Sequence, residues 1–146
     1  MGTMTGEGAM DMASRREMIS LAGLTAGLLL AQEGNAQSTA AAKELIRQPL
    51  GGVEAGREAI LVDVTAPAGG EARIHRHAGF VLGYVLEGKL RFAINGEKER
   101  VIKPGETFFE PEGALHTGGG SADPDHPVRF LAFIVAPAGS ALSLPA

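Results

Sequence analysis

Gly69-Gly70-Glu71-Ala72-Arg73-Ile74-His75-Arg76-His77-Ala78-Gly79-Phe80-Val81-Leu82-Gly83-Tyr84-Val85-Leu86-Glu87-Gly88 is the stretch whose reading decides the fold. It holds two short runs, Ala72–His77 and Val81–Glu87, separated by Ala78-Gly79 and closed by glycine at either end. Each run is too short for an ordinary helix, and the glycines are turn chemistry, so the stretch reads as two strands joined by a turn. His75 and His77, two residues apart on a strand, then project from one face.

The same pattern continues outward in both directions. Strands are predicted at Leu45–Gln48, Ala59–Thr65, Leu90–Ile94, Glu99–Ile102, Thr107–Glu110, Leu115–Thr117 and Val128–Val135. Between them lie Gly51-Gly52, Pro67-Ala68-Gly69-Gly70, Asn95-Gly96, Lys103-Pro104-Gly105 and Gly118-Gly119-Gly120. Asn95-Gly96 suits a type I′ hairpin turn, where both central residues take positive φ. After residue 45 no window of helical length sustains a 3.6-residue apolar period. Short strands at near-regular spacing predict an all-β sandwich or barrel, with no internal repeat and no second domain.

Composition agrees. The chain has 21 glycines among 146 residues, 45% apolar residues and a net charge of −4. That glycine share is about twice the usual ~7% and favours many tight turns. With no cysteine, a disulfide framework, a thiolate-held iron–sulfur cluster and a thiol nucleophile are excluded. The negative charge argues against a general basic surface, so no nucleic-acid partner is expected.

Composition shifts near residue 37. Ser14-Arg15-Arg16-Glu17-Met18-Ile19 leads into an apolar run from Ile19 to Ala31, followed by polar residues with Gly34 and Ala36 at −3 and −1 of a cleavage site. Thirteen residues at a rise of about 1.5 Å cannot cross a hydrocarbon core of about 30 Å, so no stable membrane anchor is expected. The adjacent arginines resemble a bacterial twin-arginine export signal. The expected layout is a helical signal segment at 1–36, a linker at 37–44, a barrel at 45–137 and a C-terminal tail at 138–146, with the protein periplasmic or secreted.

Three of the four histidines fall in two glycine-punctuated motifs. The first runs from Gly69 through His75, His77 and Val81 to Gly88. The second runs from Gly105 through Pro111 and Gly113 to His116. A third imidazole from another strand completes a facial set of three, and three histidines with open positions describe a ligand-exchanging metal site better than a closed structural one. Imidazole alone does not choose among Fe, Mn, Zn, Cu and Ni. His126, in Asp123-Pro124-Asp125-His126-Pro127, reads as a loop residue facing water.

The two motifs resemble those of the cupin superfamily, small barrels related to jelly rolls. The resemblance covers Leu45 to Pro137 and includes Tyr84-Val85-Leu86-Glu87-Gly88 and Pro104-Gly105-Glu106. It implies that His75, His77 and His116 are metal ligands inside the barrel. The chain departs from the family pattern at Val81, where a glutamate ligand is usual, and at Gly120, where asparagine is usual. A set of three neutral imidazoles would favour anionic or bidentate ligands that supply the missing charge. Some three-histidine cupins are non-haem iron dioxygenases; the opposite reading is a weakened site.

Two further residues are candidates for catalysis. Glu110 shares strand parity with Phe108, and if that face is inward it would replace the absent carboxylate or accept a proton. Otherwise it is a solvent-facing edge residue. Arg73, two residues before His75, would hold a substrate carboxylate bidentately; its plainer reading is a strand-end arginine reaching solvent. Val81, Phe108, Phe130 and Phe133 are predicted in the barrel core, and Tyr84 as a packing residue. The expectation is an exported mononuclear metalloenzyme, dioxygenase-like or using Lewis-acid chemistry on a small oxygen-donor ligand. The alternative is a non-catalytic binding or storage module. A homodimer formed through edge strands is expected.

Overall fold

Alternation of apolar and polar residues builds two antiparallel sheets whose inner faces meet. The computed structural model describes residues 40–146, and the export signal read over 1–36 lies outside the described residues. The strands are β1 (Ala41–Pro49), β2 (Arg57–Ala66), β3 (His75–Arg76), β4 (Phe80–Glu87), β5 (Leu90–Ile94), β6 (Arg100–Ile102), β7 (Thr107–Glu110), β8 (Leu115–Gly118), β9 (Val128–Pro137) and β10 (Leu144–Pro145). A single turn of 3-10 helix (Gly52–Glu54) is the only helical element among the described residues. Sheet I has the order β1-β2-β9-β4-β7 and sheet II the order β10-β3-β8-β5-β6. The all-β expectation is met, with strands that are non-consecutive in sequence made neighbours in both sheets.

The core lies between the sheets. Ile60, Val62, Val81, Val85, Leu90, Phe92, Ile102, Phe108, Val128 and Ile134 are almost wholly buried. In β4 the residues alternate cleanly, with Val81, Gly83 and Val85 inward and Leu82 and Tyr84 outward. Phe92 and Phe108 pack at 4.9 Å between ring centroids, and Phe108 meets Phe130 edge-on at 5.7 Å. Gly83 is glycine for a packing reason. Its partner across the ladder is Phe108, and a Cβ at 83 would collide with that ring.

Every predicted strand has a counterpart; Leu90–Ile94 and Thr107–Glu110 keep their limits, and the others shift. Strand β1 begins at Ala41, within the stretch read as linker. Strand β3 keeps only two residues of Ala72–His77, because Arg73 and Ile74 are exposed and lie outside the ladder. Strand β10 lies in the stretch read as a tail and pairs with β3. The Asn95-Gly96 turn has φ of 52° and 76°, both positive as type I′ requires.

One core assignment is corrected. Phe133 is 38% exposed, on the outer face of sheet I, where Tyr84, opposite in parity to Val81, also lies. Phe133 lies an odd number of residues from Phe130, so the two cannot share a face of one regular strand. Phe130 packs on the core and Phe133 does not.

Candidate metal centre

Sheet pairing brings the three histidines together. His75 and His116 are direct partners across the β3–β8 ladder. His77 lies two residues beyond His75, just past the end of β3. One ring nitrogen from each of the three lies within 4.8 Å of the others. The rings of His75 and His77 meet edge to face at 4.9 Å, and His75 and His116 are also 4.9 Å apart. Phe92 closes the inner side, its ring 5.3 Å from that of His116.

Hydrogen bonding fixes which nitrogens face the centre. His75 Nδ1 lies 2.7 Å from the Arg73 carbonyl, and His77 Nδ1 lies 2.5 Å from the Leu142 carbonyl. A carbonyl oxygen only accepts, so each Nδ1 donates a proton. In a neutral ring each Nε2 is then left with a bare lone pair. These two Nε2 atoms stand 3.2 Å apart. Two lone pairs at that distance repel unless a cation lies between them. Burial and the adjacent His75 hold His77 below the usual imidazole range, which disfavours a proton on its own Nε2. His116 is 7% exposed, and burial pushes it down to about 4, with His75 adding to the shift. Neither of its ring nitrogens has a hydrogen-bond partner.

Glu110 completes the cluster. It is 2% exposed, facing inward as its parity with Phe108 requires. Its Oε1 lies 3.4 Å from His116 Nδ1, and its Oε2 lies 3.8 Å from His77 Nε2. Burial pushes its carboxyl up to about 7, and Oε2 has no hydrogen-bond partner. Donor atoms that share an ion at about 2.0–2.2 Å stand roughly 3–3.5 Å apart. The His75–His77 and His116–Glu110 separations meet that spacing, and the orphaned buried atoms are compatible with a divalent transition metal.

The centre sits in a cavity of about 610 Å³ with mainly apolar walls, among them Val62, Val64, Phe130 and Ile134 from sheet I and Leu142 and Leu144 from the last residues. That size suits a small organic ligand. Arg73 also lines the cavity; the residue is exposed, and its carbonyl accepts from His75 Nδ1. His126 is exposed and bonds Asp123 at 3.2 Å, outside the centre, as the loop reading requires.

Two contributors escaped the sequence reading. The Leu142 carbonyl is a backbone atom with no side-chain signature. Gly119, read only as a turn residue, lies flat against the centre, where a Cβ would stand 2.8 Å from Ala72 Cβ and 3.2 Å from His116 Nε2. Its neighbour Gly120 has φ of 101°, and a Cβ there would collide with the Gly70 carbonyl. An asparagine is therefore not accommodated at 120.

Comparison with known proteins places this geometry. The cupin domain family matches residues 62–134, a span that contains all three histidines and Glu110. No curated protein is similar enough in sequence to match. Among solved structures, a cupin-like protein from Thermotoga maritima is 23% identical, with a TM-score of 0.53 over 69% of this chain and 77% of that one. A protein with a double-stranded β-helix domain from Klebsiella pneumoniae is 18% identical, with a TM-score of 0.59 over 75% of this chain and 86% of that one. The DMSP lyase DddQ from Ruegeria pomeroyi is 23% identical, with a TM-score of 0.55 over 73% of this chain, which spans 51% of the lyase. At these identities the shared property is the fold.

Proposed function

Since the chain belongs to the cupin family, we propose that it is a small exported metalloprotein, a mononuclear enzyme acting on a small oxygen-donor substrate. The observation that carries the reading is the pair of Nε2 lone pairs of His75 and His77 held 3.2 Å apart by carbonyls behind each ring. His116 is the third ligand. An ion held there supplies Lewis-acid polarisation of a substrate oxygen or, if redox-active, dioxygenase-like chemistry. The apolar walls bind the body of the ligand and exclude water. Arg73, which lines the cavity, orients a carboxylate if the ligand carries one. Export to the periplasm or beyond is supported by the twin-arginine-like segment and the short apolar run that follows it.

The test is metal analysis of protein purified from its own compartment. About one equivalent of Fe, Mn, Zn, Cu or Ni is expected. His75→Ala, His77→Ala and His116→Ala should each weaken binding by more than the ~10–100-fold typical of losing an outer partner. Metal near zero, with no rebinding of any of the five, would overturn the reading. Tight metal binding with no turnover of phenols, diketones or thiols would make the protein a binding module.

The chain also pairs with a second copy of itself in this reading, and besides the edge strands sheet I offers a face for it. Ile46, Leu61, Phe133, Leu82 and Phe109 are successive cross-strand partners and form one apolar row across all five strands of sheet I. Four of the five are exposed. Such a row is self-complementary, as a two-fold interface requires.

A further inference from the structure

Glu110 is the one carboxylate buried against the histidine cluster, and its position in the ladder is specific. In sheet I its Cα partner is Val81, which is 1% exposed and offers only a hydrocarbon side chain to the centre. The inner row across the sheet runs Ile60, Ile134, Val81, Glu110, so three apolar residues lead to one acid. An ionised carboxylate in such a row needs a cation beside it, because burying the charge unpaired is costly. The guanidinium and ammonium groups that pair with acids elsewhere in the described residues do not reach it. Its contacts are the two imidazoles, through separate oxygens.

We propose that Glu110 is the fourth protein ligand of the metal, delivered from β7 across the ladder from Val81. This rests on the metal reading above. His75 and His116 come from sheet II and Glu110 from sheet I, so the ion joins the two sheets. The carboxylate also sets the ligand class. One negative charge among the ligands lowers the net charge of a divalent centre from +2 to +1. The centre then suits neutral or singly charged oxygen donors better than dianions.

The test uses Co(II) as probe, read by its visible absorption and by competition with a chelator. Glu110→Gln, which keeps shape and removes charge, should weaken Co(II) binding tenfold or more and shift the absorption bands. The exchange Val81→Glu with Glu110→Val should regain affinity, because the two Cα positions face each other. Glu110→His, which keeps a donor atom, provides a second route if the glutamine variant does not fold. It should bind Co(II) with a changed spectrum. Unchanged affinity and bands in either single variant would overturn the proposal while leaving the three-histidine site intact. Failure of the unaltered protein to bind Co(II) at all would instead overturn the metal reading, and the proposal with it.

Discussion

At the scale of single residues, burial drives Glu110 and His116 in opposite directions. The Glu110 carboxyl rises from 4.5 to about 7, and the His116 imidazole falls from 6.5 to about 4. The Glu110 contribution to stability is therefore present below 4.5 and lost as pH rises through about 7. The His116 contribution is present above 6.5 and lost as pH falls through about 4. Between 4.5 and 6.5, folding adds a proton to one group and removes one from the other, so the two slopes cancel. Thermal unfolding of the metal-free protein should show a plateau across that window and a loss of stability above it. Glu110→Gln should abolish the alkaline loss, and a divalent ion added at pH 8 should restore the unaltered protein. These groups were legible in the sequence because strand parity is strict. His75 and His77 share a face, as do Phe108 and Glu110. For Phe133 aromatic character is no guide; its odd spacing from Phe130 is what sets it on the outer face.

At the scale of elements, β4 and β7 are coupled through a missing side chain. Phe108 lies over Gly83, and the contacts continue from Phe108 to Phe92 and from Phe92 to His116. Gly83→Ala should therefore destabilise the fold by about 1–3 kcal/mol, the usual cost of overpacking a core. The measurement is a urea titration, and a parallel loss of metal affinity is expected because the displaced rings lean on His116. Strand identity was readable wherever alternation ran for four residues or more, as in β2, β4 and β9. It was unreadable in β10, where Leu144 and Pro145 show no period and pairing depends on β3 arriving alongside. The same partner-dependence shortened β3, since only His75 and Arg76 have neighbours on both sides.

At the scale of the whole molecule, the outer face of sheet I carries an exposed apolar row among the described residues. Soluble monomers rarely leave an apolar row of this length uncovered. Sedimentation of the folded chain should give twice the monomer mass. Leu82→Lys together with Phe109→Lys should give a folded monomer, because both residues are exposed and outside the core. A wild-type monomer at all concentrations would count against the pairing. This row was hidden from the sequence because it exists only once β1, β2, β9, β4 and β7 are set side by side.

The bond from His77 to the Leu142 carbonyl has a consequence for residues 142–146. Strand β10 is only two residues long, too short to hold itself in place, yet Leu142 and Leu144 form part of the cavity wall. An occupied centre fixes the His77 ring, the ring holds the carbonyl, and the carbonyl holds the wall. The segment is in effect an external gauge of whether the interior is loaded. Cleavage by chymotrypsin after Leu142 should be several-fold slower with a divalent ion bound than after chelation, and His77→Ala should erase the difference.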